Sequence, residues 1–103
     1  MSEKIETWAD GFGTWHASVP LASIDLIMSD PDAAESQQAS MARDAIIAEL
    51  AARDNRMGDT ERFARAVMTV ERERITNHGT AIYREVWPTG VLDTIIETGE
   101  LPA

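Results

Sequence analysis

The chain has no cysteine, which excludes disulfides, thiol nucleophiles, iron–sulfur ligation and cysteine zinc sites. Cations are scarce: Lys+Arg number 9 against Asp+Glu 18 over 103 residues, a formal charge of -9 with both histidines neutral. That balance argues against nucleic-acid binding, because gripping a phosphate backbone needs clustered Lys and Arg. No apolar run approaches the ~20 residues that span a bilayer, and the acidic, polar opening Met1–Asp10 is unlike a signal peptide. A cytoplasmic setting without a membrane partner is therefore expected. Histidine occurs only as His16 and His78, far apart and outside any His-x-x-x-His or His-Glu pair, so no metal and no other cofactor is expected. Gly11-Phe12-Gly13 is too short for a phosphate loop, and neither a Gly-x-Ser-x-Gly elbow nor a dinucleotide fingerprint is present. The neighbouring acids Asp30/Asp32 and Glu71/Glu73 stand two apart, a spacing that diverges on a helix. The absence of these groups predicts a protein that is not an enzyme.

What is present is a globular composition, 44% hydrophobic and 26% charged, and a length that suits one small domain over 1–103. The predicted class is α+β. Asp10-Gly11-Phe12-Gly13 separates Ile5–Ala9 from Thr14–Val19 and reads as a hairpin turn, centred on Asp10-Gly11 or on Gly11-Phe12. Either centring places Trp8 and Trp15 on one face with Ala17 and Val19, and turns His16 to the other beside Thr7 and Thr14. Pro20 then ends the second strand. The alternation of Ile24, Leu26 and Met28 suits a third strand, with a helical turn as the other option.

Asp30-Pro31-Asp32 has the make-up of a helix start: a cap, a first-turn proline and an acid at the positive pole. The first helix is predicted over 31–55, with a break near Ser36-Gln37-Gln38 and a buried stripe of Ala39, Ala42, Ile46 and Leu50. A second helix is predicted over 59–77, burying Phe63, Ala66, Val67 and Val70 and stopping at Asn77-His78-Gly79. Residues 80–87 fit helix or strand equally. Val91, Leu92, Ile95 and Ile96 predict a short helix over 90–98.

Trp8, Trp15 and Trp87 are many for so small a chain. The hairpin pair is assigned to the core beneath the first helix. Tyr83 and Trp87, expected to share a side opposite Ile82 and Val86, are the candidate partner-binding anchor, since Trp and Tyr are enriched at protein interfaces. The expected function is a non-catalytic protein–protein interaction. Homodimerisation through the Tyr83–Trp87 surface competes with it, and an acidic nucleic-acid mimic that inhibits a basic partner is the alternative.

The decapeptide Trp8-Ala9-Asp10-Gly11-Phe12-Gly13-Thr14-Trp15-His16-Ala17, followed by the alanine/arginine-rich Ala42–Arg53, resembles small accessory proteins encoded by actinobacteriophages. The abundance of arginine over lysine, which is confined to Lys4, and of alanine fits a GC-rich genome of that kind. The resemblance implies a protein that binds a host protein in the bacterial cytoplasm, and it brings no catalytic residues with it. Gly13–Pro20 is also similar to the opening hairpin of HicB-type antitoxins. That likeness implies a β-β-β-α order and, as an alternative function, an antitoxin for a small basic ribonuclease. The family's glycine- and cysteine-containing segment after the proline is missing here.

Overall fold

A computed structural model describes residues 5–53 and 60–88. They form an α+β fold in the order β1 (Glu6–Ala9), β2 (Trp15–Pro20), α1 (Ile24–Ser29), α2 (Pro31–Arg53), α3 (Thr60–Val67), β3 (Thr69–Ile75) and β4 (Thr80–Val86). The four strands make one antiparallel sheet in the order β1-β2-β4-β3. Helix α2 lies across one face of that sheet, and α1 and α3 pack against α2. Ala17 and Val19 of β2, Ala81 and Tyr83 of β4, Ala42, Ile46 and Ile47 of α2, Ala64 of α3 and Met68 close the core.

The hairpin forms where expected, but its register differs by one from the Gly11-Phe12 centring and by three from the other. Trp8 stands opposite His16, and Ala9 opposite Trp15. Directly opposed residues share a face, so the two indoles lie on opposite faces. Trp15 packs on the core, while Trp8 is exposed and stacks on His16, ring centroids 5.5 Å apart and planes within 10°. Thr7 shares the helix-covered face and donates to Glu49 of α2 (3.3 Å) instead of flanking His16.

The cause is the loop. Asp10 Oδ1 accepts from the backbone N–H of Phe12 (2.8 Å) and Thr14 (3.1 Å), and Gly13, with φ +83, supplies the left-handed residue. This makes a wider connection than either two-residue turn, and the side-chain period of 2 converts a one-residue slip into a change of face.

Residues 24–29 form a helix and not a third strand. Ser23 caps it, its Oγ accepting from Leu26 N–H (3.2 Å). Asp30 then closes α1, its N–H donating to the Leu26 carbonyl (2.8 Å), and opens α2, its Oδ1 accepting from Ala33 N–H (3.1 Å). The β-β-β-α order implied by the antitoxin likeness is therefore not the order found. Helix α2 runs unbroken through Ser36-Gln37-Gln38, because Gln38 is a buried ligand of the fold. It accepts from Ala22 N–H (2.9 Å) and donates to the Tyr83 hydroxyl (3.3 Å).

The helix expected over 59–77 is split. It ends as α3 at Val67, with Ala64 buried in place of Ala66, and the chain continues as strand β3. Pairing with β4 decides this segment: Thr69 meets Val86, and Ile75 meets Ala81, across a bulge between Arg72 and Arg74. Residues 80–86 are therefore strand, and the helix expected over 90–98 lies outside the described residues.

Asn77-His78-Gly79 is the β3–β4 turn and not a helix stop, with Gly79 at φ +79 as the left-handed residue. An added Cβ there meets no atom within 4 Å, so only backbone strain opposes substitution. Gly79→Ala is expected to destabilise by about 1–2 kcal/mol, with Gly79→Asn recovering part of the loss. Thermal denaturation of the three proteins measures both.

Candidate functional site

Tyr83 cannot serve as an exposed anchor. It stands opposite Ala17 on the helix-covered face, is 1% exposed, and its hydroxyl accepts from Gln38. Ile82, expected to face inward, lies instead on the open face between Ser18 and Arg74, buried by its neighbours. Trp87 packs against the core, and its indole N–H donates to Glu85 (3.1 Å), whose other oxygen accepts from Trp15 N–H (3.0 Å). The expected anchor is thus corrected to a core residue and a half-buried neighbour. The cause is strand parity: β4 is a central strand, and its alternate residues 81 and 83 face α2.

The open face of the sheet holds a polar cluster centred on His16. The His16 side chain is 11% exposed, with Nε2 2.7 Å from Asp10 Oδ2 and Nδ1 3.1 Å from Glu73 Oε2. Arg84 is its register partner on β4 and pairs with Glu71 (2.9 Å). Burial alone would lower the His16 pKa. The hydrogen bonds to Asp10 and Glu73, with their negative charge, outweigh it and raise the pKa above 6.5. In turn His16, foremost, and the Phe12 and Thr14 amides hold the Asp10 carboxyl below its ordinary 3.8.

A neutral imidazole has one N–H and can satisfy one carboxylate; the imidazolium satisfies both. The site therefore favours a charged clamp joining the hairpin loop to β3. In that form the ring offers no lone pair to a cation, and no metal-holding group of three His, Asp or Glu occurs among the described residues. Asp10 was legible as a turn residue, but Glu73 reached His16 only through a strand that the sequence pattern reads as helix.

The other feature is apolar. A cleft of about 280 Å³ opens between α1, the start of α2 and β3, lined by Leu21, Ile27, Pro31, Ala34 and Ile75, with Gln38 beneath and Glu35 and Arg72 at its margins. Beside it α1 presents Ile24 and Met28, 75% and 79% exposed, and Ile75 is 51% exposed. Ile24 and Met28 are one helical turn apart and share a side. Glu35 lines the cleft, and Asp25, Asp30 and Asp32, all exposed, lie on the same stretch of α1, its cap and the start of α2. The spacing of residues 24 and 28 could have revealed the patch, had the segment been read as a helix.

Among the described residues no helix is long and apolar enough to cross a membrane. No family model, no curated protein and no solved structure matches the chain.

Proposed function

We propose that this protein is a non-catalytic binding module whose partner is a basic protein, held against α1 and the adjoining cleft. The observation that carries this reading is the exposure of Ile24 and Met28 beside an apolar cleft, on a segment that also carries the exposed acids Asp25, Asp30, Asp32 and Glu35. Exposed apolar residues are common singly; grouped around a concavity and rimmed by charge, they indicate a docking surface. At about 280 Å³ the cleft falls below the usual ~300–1,000 Å³ of small-molecule sites, and suits one inserted side chain. The resemblance of Trp8–Ala17 to actinobacteriophage proteins favours a host protein in the bacterial cytoplasm as the partner. The acidic rim also accommodates the antitoxin and nucleic-acid-mimic readings, both of which require a basic partner.

The double variant Ile24→Asp, Met28→Asp tests the surface. Both side chains are exposed, so the change should move stability by no more than about 0.5 kcal/mol. Capture from bacterial lysate should yield a basic protein with the wild type and lose it with the variant. The purified partner should bind the variant at least ~100-fold more weakly, as expected when two interface anchors are removed, and wild-type affinity should fall as salt screens the carboxylates. Equal capture by two folded proteins, or substrate turnover by the wild type, overturns the proposal.

A further inference from the structure

Among the described residues strand β3 is an edge of the sheet, and its sequence reads alike from both ends. Thr69-Val70-Glu71-Arg72 is mirrored in chemical class by Thr76-Ile75-Arg74-Glu73, with each acid matched to a base. A strand of this kind is complementary to an antiparallel copy of itself about a two-fold axis between Arg72 and Glu73. That register opposes Glu71 to Arg74 and Val70 to Ile75, twice each.

In a regular strand residues 71 and 74 fall on opposite faces, which would forbid such pairing with both helical layers on one side. The bulge between Arg72 and Arg74 removes the conflict. Glu71 pairs with Arg84, and Arg74 with Ile82, so both lie on the open face with His16 and Ser18. Val70 pairs with Glu85, and Ile75 with Ala81, so both lie on the face covered by α2. The bulge thus sets like with like across the two-fold axis.

Edge charges and bulges commonly protect a sheet from association, and a strand bearing one sign of charge would do so here. This one alternates signs in the order that attracts its own copy. Two further observations agree. The side chains of Arg72 and Arg74 have no ion pair or hydrogen bond among the described residues, although the chain carries 18 acids. Ile75 is left 51% exposed at the end of the strand.

We propose that the protein self-associates through β3, two copies pairing edge to edge into one eight-stranded sheet. Two Glu71–Arg74 ion pairs lie on the open face and two Val70–Ile75 contacts on the helix face, with the ladder interrupted only at the facing bulges. This surface adjoins the α1 patch and shares Arg72 and Ile75 with the rim of the cleft, while Ile24 and Met28 lie outside the strand and remain open in the dimer.

A charge exchange tests the pairing. Wild type should sediment as a dimer, and Arg74→Glu and Glu71→Arg should each weaken self-association at least tenfold by opposing like charges. An equimolar mixture of the two variants should re-form a dimer, because each then supplies what the other lacks. Among the described residues the Arg74 side chain has no partner to lose; that of Glu71 does, so folding of Glu71→Arg is checked by circular dichroism. Should that variant not fold, amide exchange of residues 70–75 in the wild type decides. Protection there must rise with protein concentration and fail to rise in Arg74→Glu. A wild type that stays monomeric at millimolar concentration, or a dimer indifferent to Arg74→Glu, overturns the inference.

Discussion

Tyr83→Ala is expected to cost about 3–5 kcal/mol, the range for deleting a buried aromatic ring. Tyr83 is the largest fully buried side chain among the described residues, and it joins the two layers of the fold. Its ring belongs to the same buried cluster as Ala17, Ala42, Ile46 and Ile47, beneath α2, and its hydroxyl meets the Gln38 amide. Truncation opens a cavity and also leaves a buried Gln38 N–H without its acceptor. A domain of this size has a total stability of roughly 5–15 kcal/mol, so the variant should be partly unfolded at ordinary temperature. Tyr83→Phe separates the two contributions. It keeps the ring and loses only the hydroxyl contact, which at 3.3 Å is long, and a loss near 1 kcal/mol is expected. Urea denaturation of the three proteins measures both steps. A Tyr83→Ala protein as stable as wild type would mean that the ring is not in the core. The same result governs any binding assay: failure of Tyr83→Ala to bind a partner reports unfolding and says nothing about an interface.

The parts of this fold that are legible in the sequence are those whose signals are local. Asp30-Pro31-Asp32 starts a helix by its own capping chemistry, and Pro20 ends a strand because it lacks a donor. Gly79 adopts the left-handed conformation expected of it, although the turn it serves joins strands. The misread elements are those decided by distant partners. Glu71-Arg72-Glu73-Arg74 consists of good helix formers, and residues 63, 66, 67 and 70 fall at helical spacing. Pairing with β4 overrides that preference, and because β3 is an edge strand almost wholly exposed, it shows no apolar alternation. The β-branched residues at its ends, Thr69, Val70, Ile75 and Thr76, were the only local sign.

The candidate site follows the same division. Ile24 and Met28 become a patch once Ser23 is seen as a cap, which a sequence can show. The His16 clamp requires Glu73 from 57 residues away, and no local pattern predicts that meeting. The tryptophans fail for a third reason: their types were informative, but a one-residue change of register carried Trp8 to the opposite face.

Stability should fall as pH rises through the His16 titration, and a His16→Gln variant should not show this loss. The folded protein holds His16 at a pKa above its unfolded 6.5, so the native state binds the proton more tightly than the unfolded chain. The stabilisation is then complete below pH 6.5 and disappears as pH climbs through the raised value. Asp10 acts at the other end. Its folded pKa lies below 3.8, so its contribution is present above that pH and is lost as acid protonates the carboxyl. Between the two limits the imidazolium bridges Asp10 in the hairpin loop and Glu73 on β3, beneath Trp8 and beside the Arg84–Glu71 pair. Arg84, as register partner of His16, opposes the charge, and Glu71 neutralises it in part. The measurement is the urea midpoint at about pH 5.5 and about pH 9 for wild type, His16→Gln and Glu73→Gln. Wild type should lose midpoint at the higher pH, Glu73→Gln should lose less, and His16→Gln should change least. A His16→Gln protein with the full wild-type pH dependence would place the titrating group elsewhere and remove the clamp from the account of this fold.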